Sequence, residues 1–295
     1  MFISHAKNNE RNIRMTKIKM LSPKIDLVFQ RLFGEVGNEK ITKRFIEKVL
    51  DEKIDQLDLS KNPILRREKR GGKLGILDVL VEVNGKEKVN IEMQVVKKQD
   101  IKERILYYWS RLYIKGIKEG EEYQKLDRTI IILITDFLIN GLEELEYHTE
   151  WKIIEEKGRK IILTDKLEIH IIELEKIKGK EKEEGELLDW LFFIDNPESE
   201  RVKVAMKENE ELKEANEKLS QMSEEEELQR FAEWREKAIR DEASSRASGL
   251  QEGKEQGKIE KTKEIAKKML KEKLEISLIG KLTGLSEEEI RKLED

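Results

Sequence analysis

The stretch GILDVLVEVNGKEKVNIEMQVV, residues 75–96, decides the fold of this chain. Two apolar runs, 76–83 and 88–96, flank the dipeptide Asn84-Gly85. Asn-Gly between two such runs favours a two-residue turn that joins antiparallel strands. The pattern therefore predicts a β-hairpin, and the apolar residues along both runs indicate that its strands are substantially buried.

The hairpin carries two carboxylates, Asp78 and Glu92. Asp78 lies six residues before Asn84 and Glu92 lies seven residues after Gly85, so the two side chains are expected nearly opposite each other. Gln94 shares the face of Glu92, because side-chain direction repeats every second residue. Two buried like charges need a cation between them, and their oxygen atoms suit Mg²⁺ or Mn²⁺. The alternative is that both carboxylates face solvent on a half-exposed hairpin.

The sequence around the hairpin predicts an α/β core in the first two thirds of the chain. Ser22 and Pro23 suit the cap and first turn of a helix, and a second helix is expected near residues 38–50. A helical pattern of apolar residues covers 100–118. Short β-branched runs near residues 130 and 170 predict two more strands.

Composition excludes several classes of function. The chain has no cysteine, which rules out disulfides and thiolate chemistry, and its three histidines lack the spacing of a zinc site. Carboxylates must therefore carry any catalysis, and no small-molecule cofactor is expected. No apolar run is long enough to span a bilayer, which predicts a cytoplasmic protein. The N-terminal tail, residues 1–20, is basic and could be a solvated tail or an arm that touches phosphate.

DNA contact must come from local patches, because acidic and basic residues balance over residues 1–198. The strongest patch is KNPILRREKRGGK, residues 61–73, with six basic residues and one acidic residue directly before the hairpin. Its candidate DNA-binding side chains are Arg66, Arg67, Lys69, Arg70 and Lys73. The alternative interpretation is an ordinary charged loop.

Beyond Pro197 the sequence changes to charged helix. Apolar and small residues between Val202 and Leu219 alternate at spacings of three and four, which is a heptad pattern with Asn209 and Asn216 at a positions. This pattern predicts a parallel homodimer, and an intramolecular helical hairpin is the alternative.

The C-terminal region continues with two further features. Gly249, Gly253 and Gly257 predict a flexible or frayed linker. The pattern of residues 258–295 predicts three short helices, with a spacing that resembles a helix-turn-helix. Glu287, Glu288 and Glu289 open its would-be recognition helix and favour protein contact over DNA reading, because they would repel phosphate.

The sequence G-I-L-D-V at 75–79 with N-I-E-M-Q at 90–94 resembles the PD-(D/E)XK motif of the recombination-promoting nuclease (Rpn) or PD-(D/E)XK nuclease family transposase group. The likeness covers roughly residues 20–295 and includes Lys24-x-Asp26-x-x-Phe29, Arg104, Tyr107 and Tyr108 on one helix, and the Gly120-x-x-Tyr123 turn. It implies a mixed central sheet flanked by helices. It also implies Mg²⁺-dependent hydrolysis of DNA phosphodiester bonds in recombination or mobile-element biology.

This sequence departs from the parent motif at Gln94, where the family motif usually has lysine. We expect Asp78, Glu92 and the Met93 carbonyl to hold the metal, and Gln94 to orient the attacking water. The missing positive charge could come from Lys73, Lys97 or Arg104. Asp26 could support the site or only stabilise the first turn of its helix, and Tyr108 could contact DNA or belong to the core.

The expected organisation has four parts, and two functions remain open. Residues 1–20 form the basic tail, 21–197 the nuclease domain, 198–257 a charged helical and coiled-coil linker, and 258–295 a small helical domain. The first function is a metal-dependent DNA endonuclease that dimerises through residues 198–295. The second is a DNA-binding protein of the same fold that has lost catalysis and acts through its helical tail.

Overall fold

The computed structural model describes residues 19–59, 79–158 and 160–293. The chain divides into two compact units, Met1–Glu236 and Lys237–Asp295. The strands are β1 (Leu57–Asp58), β2 (Val79–Val83), β3 (Glu87–Gln94), β4 (Thr129–Thr135), β5 (His148–Trp151) and β6 (Leu167–Glu173). The helices of the first unit are α1 (Asp26–Gly34), α2 (Glu39–Leu50), α3 (Ile101–Ile114), α4 (Glu186–Asp195), α5 (Glu200–Ala205) and α6 (Glu210–Ser223), with short 3₁₀ turns at Tyr123–Lys125 and Leu174–Ile177.

The described strands form one mixed sheet in the order β1-β2-β3-β4-β6-β5. β3, β4 and β6 are parallel neighbours, whereas β1, β2 and β5 join by antiparallel pairing. Every residue of β4 is buried, as expected for the centre of a sheet that is covered on both faces. This is the predicted α/β core with helices flanking a mixed sheet.

The hairpin of β2 and β3 has the predicted strands, but its turn is one residue longer than predicted. Val83 pairs with Glu87, so three residues form the turn. Asn84 (φ 51°) and Gly85 (φ 78°) adopt the left-handed conformation, which asparagine and glycine tolerate best. The Asn84 Oδ1 also accepts a hydrogen bond of 3.0 Å from the Asp55 amide, which ties the turn to the segment before β1. The longer turn places Leu80 opposite Asn90.

Two apolar layers cover the sheet. One face packs against α1, α2, α4 and α6 around large buried side chains such as Phe33, Phe45 and Trp190. The other face packs against α3, through residues such as Ile105 on the helix and Leu133 on β4. Along β3, Val89, Ile91 and Met93 face the first layer, so the residues between them face α3.

The heptad interpretation of Val202 to Leu219 is wrong. The chain ends one helix at Ala205 and starts another at Glu210, and Asn209 caps the second helix by accepting a hydrogen bond from the Leu212 amide. Val202, Leu212 and Leu219 are completely buried in the core of the first unit. The helices α1, α2 and α4 present apolar side chains to α5 and α6, so this contact within one chain buries the apolar stripe without a second chain.

Two local predictions are also corrected. The first helix begins at Asp26 rather than at Ser22 and Pro23, because Ser22 accepts hydrogen bonds from the Lys24 and Ile25 amides and closes a turn before the helix. The glycines of the predicted linker lie inside α7 (Glu226–Lys271). The Glu, Lys, Gln and Arg residues around them favour helix strongly enough to offset about 1 kcal/mol per glycine.

The second unit contains the end of α7, α8 (Ile276–Thr283) and α9 (Glu287–Arg291), which is the predicted set of three C-terminal helices. Ala266, Ile279 and Ile290, one from each helix, are completely buried against one another. Ser286 and Glu289 form a reciprocal capping box at the start of α9, which satisfies two backbone amides. In the described part of the chain, no helix is both long and apolar enough to cross a membrane.

Candidate active site

Three polar residues, Asn90, Glu92 and Gln94, follow one another on the face of β3 that is turned toward α3. Asn90 is completely buried and Glu92 is only 3% exposed. Their neighbours on β4 in the same layer, Ile131 and Leu133, are apolar. A polar row in an apolar layer is costly unless it is hydrogen-bonded or binds a ligand.

Asn90 and Glu92 are joined directly. The Asn90 Nδ2 donates a hydrogen bond of 2.9 Å to Oε1 of Glu92. An amide donates hydrogen bonds only through its NH₂ group, so this contact turns the Nδ2 of Asn90 toward Glu92. The Asn90 Oδ1 is buried and has no hydrogen-bond partner among the described residues.

The α3 helix contributes a cationic side chain, Arg104, to the site around Glu92. Arg104 donates a hydrogen bond of 2.8 Å to the hydroxyl oxygen of Tyr108, which lies one turn further along α3. Glu92, Gln94, Arg104 and Tyr108 line one small cavity, together with Ile101, Ile105, Ile131 and Leu133. The Nε of Arg104 is buried and has no partner among the described residues. A carboxylate, an amide and a guanidinium therefore meet in a site that apolar side chains enclose.

The family of this chain is shown by the family models that its sequence matches. A family model described as PD-(D/E)XK nuclease family transposase matches residues 23–249, which is more than half of the chain. The chain belongs to this family. Residues 260–295 match the C-terminal HTH domain of the Rpn/YhgA-like nuclease family. No curated protein and no solved structure matches the chain.

Part of the predicted site of this PD-(D/E)XK family member lies outside the described residues. These positions are the ligand Asp78 and the basic residues Arg66, Arg67, Lys69, Arg70 and Lys73. Glu92, Gln94, Arg104 and Tyr108 line one cavity. Tyr108 is only 8% exposed and forms part of the core. The Met93 side chain packs on the opposite sheet face, and a role for its carbonyl stays a prediction.

Two further predicted residues lie away from the cavity of this nuclease-family domain. Asp26 forms an ion pair of 3.0 Å with Arg235 and accepts a hydrogen bond from the Leu27 amide. It lies at the start of α1, which covers the other sheet face, so the structure favours the helix-end role over support of the site. Lys97 is exposed and lines a neighbouring groove with Lys98 and Lys102.

Sequence reasoning missed Asn90 as a member of this site. A signal was present, because asparagine is depleted in strands and here it interrupts the apolar run between Val89 and Ile91. The identity of its hydrogen-bond partner depends on the hairpin register and on burial, which the sequence does not specify.

A second group of metal-capable side chains lies on the sheet face opposite Glu92. Carboxylate and ring atoms of Glu150, Glu168 and His170 lie within 4.8 Å of one another. Both carboxylates already pair with cations, since Arg128 contacts Glu168 at 2.6 Å and Lys152 pairs with Glu150. This group is therefore separate from the cavity of Glu92, and each of its two carboxylates contacts a cationic side chain.

The same group perturbs two protonation equilibria. Burial alone would raise the pKa of Glu168, but hydrogen bonds from His170 and Arg128 lower that pKa to about 2. Burial, with a smaller effect from the neighbouring His170, lowers the pKa of His148 to about 4. The Nε2 of His148 lies 2.9 Å from the Nδ1 of His170. A neutral His148 can accept a hydrogen bond from His170 at this nitrogen.

Proposed function

We propose that this protein is a metal-dependent DNA endonuclease that uses Mg²⁺ or Mn²⁺ in recombination or transposition. The observation that carries this proposal is the meeting of Glu92, Gln94 and Arg104 in one cavity at β3. The family assignment supports a nuclease role. The match of residues 260–295 to a helix-turn-helix domain supports DNA as the partner.

The residues present fit a hard divalent cation. Glu92 offers a buried carboxylate, and the unpartnered Oδ1 of Asn90 indicates that the surroundings accept a further polar group. Asp78, Glu92 and the Met93 carbonyl would hold the ion through oxygen atoms, the ligands that Mg²⁺ and Mn²⁺ prefer. When bound, such an ion lowers the pKa of water and polarises a phosphodiester oxygen.

Gln94 and Arg104 would together replace the lysine that the family motif usually carries, Gln94 by orienting water and Arg104 by supplying the positive charge. The Gln94 amide can orient water through a hydrogen bond but has no charge. Arg104 carries a permanent charge and a planar set of donors that matches phosphate oxygens. Its place in the cavity favours it over the exposed Lys97 as the source of positive charge near the scissile phosphate.

The second candidate function is DNA binding without cleavage. The observation that favours it is the replacement of the motif lysine by Gln94, because loss of that charge weakens stabilisation of the transition state. In this reading the chain binds DNA through its nuclease-fold domain and its helix-turn-helix domain. Both functions predict DNA binding, but only the first predicts metal-dependent cutting.

Plasmid nicking by the full chain, with and without Mg²⁺, separates the two. We expect the wild type to nick only with the ion. We expect Glu92→Ala to abolish nicking because it removes a ligand, whereas Glu103→Ala, an exposed carboxylate on α3, serves as a matched control that cuts normally. Nicking by Glu92→Ala at the wild-type rate would remove Glu92 from the site, and a wild type that binds but never cuts would favour the second function.

A homodimer remains part of the proposal, because cutting both DNA strands usually calls for two active sites. The apolar residues of α5 and α6 are buried in the core of the first unit. We therefore propose that the contact between the two copies of the chain lies within residues 237–295. Leu278 and Leu282 on α8 are 43% and 62% exposed, which offers an apolar contact to a second copy. Light scattering of the full chain should give the mass of a dimer, and Leu278→Glu with Leu282→Glu should give a monomer.

A further inference from the structure

Asn90 occupies an improbable position for its side chain. It lies in the middle of β3, is completely buried, and faces Leu80 on β2 and Ile131 on β4. Asparagine is depleted in strands, and an amide in an apolar layer loses its hydrogen bonds to water. An aliphatic side chain would suit this position better if packing alone determined the residue.

The contact that accounts for Asn90 is its hydrogen bond to Glu92. Both side chains point to the same face two residues apart, and the Asn90 Nδ2 donates to the Glu92 Oε1 over 2.9 Å. Hydrogen bonds to a charged group are stronger than those between neutral groups. The bond therefore holds one oxygen of the carboxylate in place.

The other end of the Asn90 amide has no partner in the part of the chain that the structure describes. The Asn90 Oδ1 has no hydrogen-bond partner among the described residues, and an unsatisfied buried acceptor costs about 1–3 kcal/mol. A residue kept for stability alone would not carry this cost. The arrangement suits a residue whose purpose is the orientation of Glu92.

We propose that Asn90 is a positioning residue of the metal centre, which fixes the Glu92 carboxylate in one orientation for the cation. This inference rests on the proposed function. Hydrogen-bond partners of metal ligands restrict the ligand to its binding rotamer, and their removal typically weakens metal affinity about 10- to 100-fold. Asn90 would act through Glu92, without touching the DNA.

Mn²⁺ binding to the full chain, measured by isothermal titration calorimetry, tests the role without reference to cutting. Asn90→Leu keeps the branching and the number of heavy atoms of the side chain and removes the donor, so we expect its Mn²⁺ dissociation constant to rise about 10- to 100-fold. Thr129→Val is the matched control, since it is also a buried polar-to-apolar change in this sheet, on β4. We expect Thr129→Val to bind Mn²⁺ like the wild type.

Thermal unfolding without metal separates positioning from stability. Asn90→Leu removes the Oδ1 that has no partner among the described residues, but also the donor to the buried Glu92 carboxylate. These two effects oppose each other, so its unfolding temperature without metal should stay close to the wild-type value, while its added stability on binding Mn²⁺ should be smaller. Asn90→Ala serves as the second variant if the leucine does not fold, with the same expected loss of affinity.

Wild-type Mn²⁺ affinity in either folded Asn90 variant would overturn this inference and leave the proposed function intact. A wild type that binds no Mn²⁺ would overturn both.

Discussion

The guanidinium of Arg104 donates a hydrogen bond of 2.8 Å to the Tyr108 hydroxyl and lies 5.4 Å from the centre of the Tyr108 ring. Both residues line the cavity that contains Glu92 and Gln94. Since Tyr108 is buried, it acts as a fixed support for the long Arg104 side chain in this cavity. Holding a charge in place before reaction is how an enclosed site stabilises a transition state.

Tyr108→Phe should therefore lower the nicking rate while leaving the fold intact. It removes only the hydroxyl that fixes Arg104, and we expect a loss of about tenfold, which corresponds to about 1.4 kcal/mol. Single-turnover nicking at saturating Mg²⁺ measures the effect. Tyr107→Phe, an exposed residue on the same helix, is the control and should cut at the wild-type rate. Equal rates for both variants would show that Arg104 needs no support from Tyr108.

Gln94→Ala should reduce cutting less than Glu92→Ala does. A water-orienting amide contributes less than a metal ligand, and loss of a comparable donor costs about 10²- to 10³-fold. The rate constant for nicking and the Mg²⁺ concentration at half-maximal rate should be measured together. We expect the first to fall and the second to stay close to its wild-type value. Cutting at the wild-type rate would make Gln94 a bystander.

Leu212→Ala should destabilise the first unit by about 2–5 kcal/mol, the usual cost of truncating a buried leucine. Leu212 is completely buried within its own chain, so the loss should be the same at low and high protein concentration. Urea unfolding at two protein concentrations measures it, with Leu250→Ala, an exposed leucine on α7, as the control. A loss of unfolding free energy that depended on protein concentration would support the heptad dimer that the structure contradicts.

The stability of the first unit should decrease as the pH falls from 6.5 toward 4. The pKa of His148 is lowered from 6.5 to about 4 in the folded chain, chiefly by burial. Protons therefore bind the unfolded chain more strongly in this window, and stability that is present above pH 6.5 is lost on acidification. Glu168, with its pKa of about 2, loses its contribution at lower pH.

His148→Gln should flatten this part of the pH profile, because glutamine does not titrate. Thermal unfolding temperatures of both proteins across the window give the comparison. Parallel profiles for the variant and the wild type would mean that His148 is not the group responsible.

The sequence by itself determined the elements whose local pattern is strong. The alternation along 76–83 and 88–96 and the Asn84-Gly85 dipeptide specify a hairpin because strand periodicity and turn chemistry are local properties. The spacing of Glu92 and Gln94 put both on one face for the same reason. The motif residues around them were sufficient to indicate the family.

Tertiary structure decided what depends on contacts between distant residues. The third turn residue sets Leu80 opposite Asn90, and the contact of Asn84 with the Asp55 amide accompanies it. A heptad pattern states only that a helix has an apolar stripe. The apolar surface of α1, α2 and α4 determined that Leu212 and Leu219 pack within their own chain. Arg104 lines the same cavity as Glu92 because α3 packs against β4, the neighbour of β3 in the sheet, a contact that no spacing along the chain encodes.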